Sequence, residues 1–178
     1  MNLLQMKPNM DAPVETVKLV SDIEARILFI KVLSDVYYLK EFMVAQLPEI
    51  TYRTERIALK LQIVQAGCTL NSQLLRMDMA ISLLQTERLL DGALPVDGLN
   101  YEHYMYNNID TVTSYLNDVK LLNHIMLLVG IELASFRLLD ILSRPLRPKS
   151  VNVLMRDNLK EAIKNQNELI RVYHTYLD

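Results

Sequence analysis

The side chains that carry most protein chemistry are sparse in this chain: three histidines and one cysteine, set against 21 carboxylates and 19 lysines and arginines. A carboxylate-bridged dimetal site built on helices needs a glutamate three residues before a histidine, so that carboxylate and imidazole share a face. His103, His124 and His174 are preceded at that spacing by Asn100, Leu121 and Arg171, so none fits. One cysteine and dispersed histidines provide no local zinc set. Nucleophilic catalysis would need a Ser, Cys or Lys beside an activating base, and phosphate chemistry a glycine-rich loop; neither pattern occurs. The sequence thus implies no metal, no cofactor and no catalytic residue. Cys68, within an apolar helical pattern, reads as a small core side chain, and a lone cysteine points to a reducing, cytoplasmic-type compartment.

Three constellations remain. Glu132 and Arg137 lie in the most apolar stretch, Val119 to Leu142, where buried charge demands a partner. They are expected to form buried ion pairs, and a small-molecule pocket anchored on Glu132 is the alternative. Tyr101, His103, Tyr104 and Tyr106 concentrate amphipathic rings beside an acidic stretch that holds Asp91, Asp97, Glu102, Asp110 and Asp118 without a lysine or arginine. Such rings suit a surface that is both apolar and hydrogen-bonding. Arg144, Arg147, Lys149 and Arg156 form a basic segment that could meet the acidic stretch of another copy.

The elements that must position these residues are helices. Residues of the AVILMFWYC set make up 51% of the 178 residues, aromatics only 7%, and four glycines and six prolines are too few to punctuate a many-stranded sheet fold. A first helix is expected from Pro13 to Leu47, stopped by Pro48, with Val17, Val20, Ile23, Ile27 and Ile30 on its core face. A second should run from Glu49 to Leu90. Its seam reads Leu59, Ile63, Ala66, Leu70, Leu74, Met77, Ile81, Leu84, a heptad pattern with one extra four-residue step, and Gly67 beside that step suits a close helix crossing. A third helix extends from Asn100 to Ser143, stopped by Arg144-Pro145-Leu146-Arg147-Pro148. A fourth, capped by Ser150 or Asp157, carries the stripe Leu159, Ile163, Gln166, Ile170, Tyr173 and Leu177.

The expected fold is therefore all-α: an elongated or kinked up-down bundle of about four long helices. Residues 1–12 form a flexible N-terminal arm and 13–178 one domain, divided into a helical hairpin (13–91), a loop (91–99) and a second helical half (100–178). Lys120, His124, Glu132, Arg137 and Asp140 make membrane insertion of Val119–Leu142 unfavourable. The N-terminus lacks a basic segment followed by an apolar core, so no signal peptide is recognised. A net charge of −2 disfavours nucleic acid as a partner. The leading expectation is a non-enzymatic bundle whose helices bind other helices, as a homo-oligomer or as a subunit of a larger assembly such as a virus-like or phage-like particle, though no motif specifies one. A small-molecule or lipid-binding bundle comes second, and a helical enzyme with dispersed site residues third.

Overall fold

The computed structural model describes residues 21–89 and 114–176; the N-terminal arm, the 91–99 loop and the Tyr101–Tyr106 cluster lie outside them. Four helices make up the described residues, with no strand: α1 (Asp22–Arg53), α2 (Ile57–Leu83), α3 (Ser114–Ser143) and α4 (Ser150–His174). At 1.5 Å per residue they are about 38 to 48 Å long, shorter than the spans expected from the sequence. No described helix is long and apolar enough to cross a membrane.

α1 begins later than Pro13 because Ser21 caps it. The Ser21 hydroxyl accepts the Glu24 N–H while the Glu24 carboxylate accepts the Ser21 N–H, a reciprocal capping box that satisfies two otherwise orphaned donors. Pro48 does not end the helix. It is exposed, so the carbonyl deprived of its partner can be hydrated, and Ile50, only 2% exposed, anchors the following turn in the core. The chain leaves the helix at Thr54, whose N–H and hydroxyl both bond the Ile50 carbonyl. α4 starts without a side-chain cap: Lys149 is its N-cap, and the first turn is closed by the Pro148 and Lys149 carbonyls, which correct Ser150 and Asp157 as the expected caps.

The helices occupy the corners of a square in the order α1, α2, α4, α3. Tyr37 meets Asp78 and Arg26 meets the Leu84 carbonyl, so α2 runs antiparallel to α1. Lys40 meets Glu132 and the Glu55 N–H meets Asp118, so α3 is antiparallel to α1 as well. α2 and α3 are therefore parallel across the diagonal. The direction order is up, down, down, up, and the ends that the chain must join between Leu89 and Ser114 lie at opposite ends of the bundle. That arrangement replaces the simpler alternating path expected from short connections.

The apolar core is divided in two. One cluster packs around Met43, Leu59, Ile63, Leu122, Leu128 and Leu169; the other around Phe29, Leu33, Met77, Phe136, Leu139 and Met155. On α2, α3 and α4 the boundary between them falls at a polar residue, Gln73, Glu132 and Asn165, and on α1 Lys40 sits beside it, between Leu39 and Met43.

Candidate functional site

That boundary is a belt of buried polar side chains to which all four helices contribute. Lys40 is 0% exposed and Glu132 1%. The Lys40 ammonium donates to Glu132 Oε1 at 2.8 Å and to Gln73 Oε1 at 2.5 Å, and lies 4.8 Å from the centre of the Phe136 ring. Two oxygens and an aromatic face thus surround a cation that would otherwise be stranded in hydrocarbon. Gln73 Nε2 donates to the Asn158 carbonyl, and Asn158 Nδ2 returns a bond to the Gln73 carbonyl, a reciprocal pair between α2 and α4. Farther out, Arg76 grips both oxygens of Glu161 at 2.7 Å and donates to Asn158 Oδ1, carrying the network to the surface.

The electrostatics follow from this burial. Desolvation is the largest influence on Lys40 and pushes its pKa down, while the Glu132 charge and hydrogen bond hold it up. The paired geometry gives the ammonium no opening toward a substrate. Sliding α1 or α3 by a turn would leave Lys40 or Glu132 buried without its partner, at a cost of about 3–5 kcal/mol, and sliding α2 or α4 would break the Gln73–Asn158 pair, so the belt fixes helix register. Among the described residues no group of three His, Cys, Asp or Glu is placed to hold a metal ion.

Beside the belt lies a cavity of about 20 Å³ bounded by Glu132 and Asn165 and otherwise by apolar side chains, among them Leu47, Ala66 and Leu70. Glu132 is thus buried and adjoined by a cavity, but ligand pockets for drug-sized molecules measure roughly 300–1,000 Å³. This one is far too small for a lipid or a drug-sized ligand.

A second polar knot closes one end of the bundle. The Asp118 carboxylate, 1% exposed, accepts the backbone N–H groups of Glu55 and Arg56 at 2.9 Å and the Tyr176 hydroxyl at 2.9 Å. It caps the α1–α2 turn from α3 and holds the end of α4 in the same stroke. The Arg56 guanidinium lies 4.4 Å from the Tyr176 ring centre and donates to the Thr175 carbonyl.

The basic segment is partly committed within the chain. Arg144 bonds the Asp140 carboxylate at 2.8 Å, Arg156 lies 3.7 Å from the other Asp140 oxygen, and Lys149 donates to the Arg144 carbonyl, while Arg147 is exposed. Of the acidic stretch opposed to it, Asp118 is consumed by the knot. Arg137 is exposed and takes no part in the buried pair; the partner of Glu132 is Lys40, which the sequence reading did not single out. Their separation explains the correction: five residues apart on one helix, Glu132 and Arg137 point in different directions. Cys68 is exposed as well, contrary to its expected place in the core.

The exposure of Cys68 belongs to a larger feature. Ile57, Leu61, Val64, Leu75 and Met79 of α2 are 74%, 66%, 54%, 66% and 55% exposed. With Cys68 they recur at spacings of 4, 3, 4, 7 and 4, which places them in one narrow stripe. Leu59, Ile63, Leu70, Met77 and Leu84, all buried, occupy the opposite face. α2 therefore carries two apolar stripes, one to the core and one to solvent. At the end of the outer stripe Leu75, Met79 and Leu83 border an open groove with Asp78 and Ser82. α3 repeats the pattern less cleanly, with Leu127, Leu138 and Ile141 exposed.

No family model matches the sequence, and no curated protein matches it. Solved structures do match the fold. The stress protein YciF of Escherichia coli superposes with a TM-score of 0.77 at 18% identity, covering 86% of this chain and 96% of its own. YcfI, described as "a putative structural protein from Rhodopseudomonas palustris", gives 0.73 at 16% identity with the same coverage. The chain has the four-helix fold of these two proteins.

Proposed function

We propose that this chain is a non-enzymatic helical-bundle protein that works by helix-to-helix association, pairing with a second copy of itself through the outer stripe of α2. The observation that carries the reading is the symmetry of that stripe. Measured from Cys68, its apolar members lie at −11 (Ile57), −7 (Leu61), −4 (Val64), +7 (Leu75) and +11 (Met79), and the exposed Ser72 occupies the position at +4 that mirrors Val64. A stripe that reads the same in both directions is self-complementary when two copies pack antiparallel about a two-fold axis. Leu61 then faces Leu75 of the second copy, Ile57 faces Met79, and Cys68 faces its own counterpart. No charged residue falls within the stripe, as the centre of a stable interface requires. The structural role named in the description of YcfI agrees with this reading.

Cys68 supplies the test. A short bis-maleimide should convert the native protein at micromolar concentration into a covalent dimer through Cys68, and Leu61→Lys with Leu75→Lys should abolish that product while circular dichroism remains helical. If Cys68 reacts readily with a mono-maleimide yet yields no cross-linked dimer, the α2 pairing is wrong.

A further inference from the structure

We infer that the cavity between Glu132 and Asn165 is a binding site for a single water molecule, making hydration a built-in part of the polar belt. Two independent observations converge on it. Asn165 is only 8% exposed, it lines the cavity, and its side-chain amide has no hydrogen-bond partner among the described residues. Glu132 commits Oε1 to Lys40, and among the described residues no donor reaches its other oxygen. Both are high-cost groups to leave unsatisfied in a low-dielectric interior.

Size and charge select the occupant. A water needs at least about 10–15 Å³ of such volume, whereas a cavity that admits benzene or xenon is nearer 150 Å³, so about 20 Å³ admits one heavy atom and excludes anything larger. Lys40 already neutralises Glu132, so the site does not call for a small cation. A neutral molecule that can accept from the Asn165 amide and donate to the free Glu132 oxygen satisfies both groups. Water does so with the two polar partners that a buried water requires at minimum. Apolar side chains, Leu47, Leu70, Ile125, Val129 and Leu169 among them, make up the rest of the lining, and a water held there by both polar groups is expected to exchange slowly.

Magnetic relaxation dispersion of oxygen-17 in the solvent counts waters held long enough to tumble with the protein. Wild type should show a dispersion that loses the amplitude of one water in Asn165→Leu, which removes a polar partner, and in Ala66→Leu, which fills the space while leaving both polar groups in place. Ala66→Val serves the same purpose should the larger side chain prevent folding. Replacing sodium chloride with ammonium chloride at constant ionic strength should leave the wild-type amplitude unchanged. Equal amplitudes in wild type and in the folded variants would overturn the inference, and a loss of amplitude on adding ammonium would assign the site to a cation instead.

Discussion

Replacing Lys40 with methionine keeps the length and volume of the side chain but removes the cation from the centre of the bundle. Glu132, 1% exposed, is then left as a buried carboxylate without its partner, and Gln73 loses its Lys40 hydrogen bond. Breaking a buried ion pair from one side costs about 3–5 kcal/mol. A chain of this size gains roughly 5–15 kcal/mol from folding, so Lys40→Met should forfeit a large share of it. At about 2–4 °C per kcal/mol, the melting temperature should fall on the order of 10 °C. The double variant Lys40→Met, Glu132→Leu removes both charges, and its stability should return to wild type or exceed it by about 1–4 kcal/mol, because neither ion need be desolvated. Urea titrations followed by circular dichroism give both values, with equal m-values as the control that the same surface is exposed on unfolding. A cost below about 1 kcal/mol for Lys40→Met, or a double variant less stable than Lys40→Met alone, would refute the account of the belt as an obligatory pair.

Other substitutions probe separate parts of the fold. Burial holds the pKa of His124 below its ordinary 6.5. Below pH 6.5 the unfolded chain takes up a proton before the folded chain does, so stability should fall as pH drops through that window. His124→Gln should flatten this slope in melts between pH 7 and pH 5. Asp118→Ala strips an acceptor from two backbone N–H groups and the Tyr176 hydroxyl, and should cost about 3 kcal/mol in a denaturant titration. At Gly67 an added methyl would come within 2.8 Å of Leu47 Cδ1, the mobile tip of a side chain facing the small cavity. Leu47 can yield, so Gly67→Ala should stabilise the protein by up to about 1 kcal/mol through helix propensity; a loss of that size would show the α1–α2 approach to be rigid.

The all-helical class was legible from composition and periodicity, and so was the stop after Ser143. The buried faces are not the ones that carry the largest apolar side chains. On α2 a preference for size selects Leu74 and Ile81, which forces an irregular step into the seam. The buried residues run Leu59, Ile63, Leu70, Gln73, Met77, Ala80, Leu84, and with Ala66 the spacing is a regular alternation of four and three. On α4 the expected stripe of Leu159, Ile163, Gln166 and Ile170 lies one position away from the buried Asn158, Ala162, Asn165 and Leu169. On α1 the expected face holds Ile23 and Ile27, which are 73% and 62% exposed, whereas Ala25, Phe29, Leu33, Val36, Lys40 and Met43 face inward. In each case the true stripe includes a small or polar residue. Those polar residues are the belt, and three helices carry them at seam positions, which is the signal the sequence held. The outer stripe of α2 was hidden for the related reason that two opposed apolar faces cancel in any search for one-sided amphipathicity.

The central claim, association through α2, is tested most directly by the mass in solution. Light scattering from wild type and from Leu61→Lys with Leu75→Lys, across concentration at fixed salt, should show a dimer for the first and a monomer of 20.6 kDa for the second, with equal helicity. A monomeric wild type at every concentration, or a dimer that survives both lysines, would contradict it.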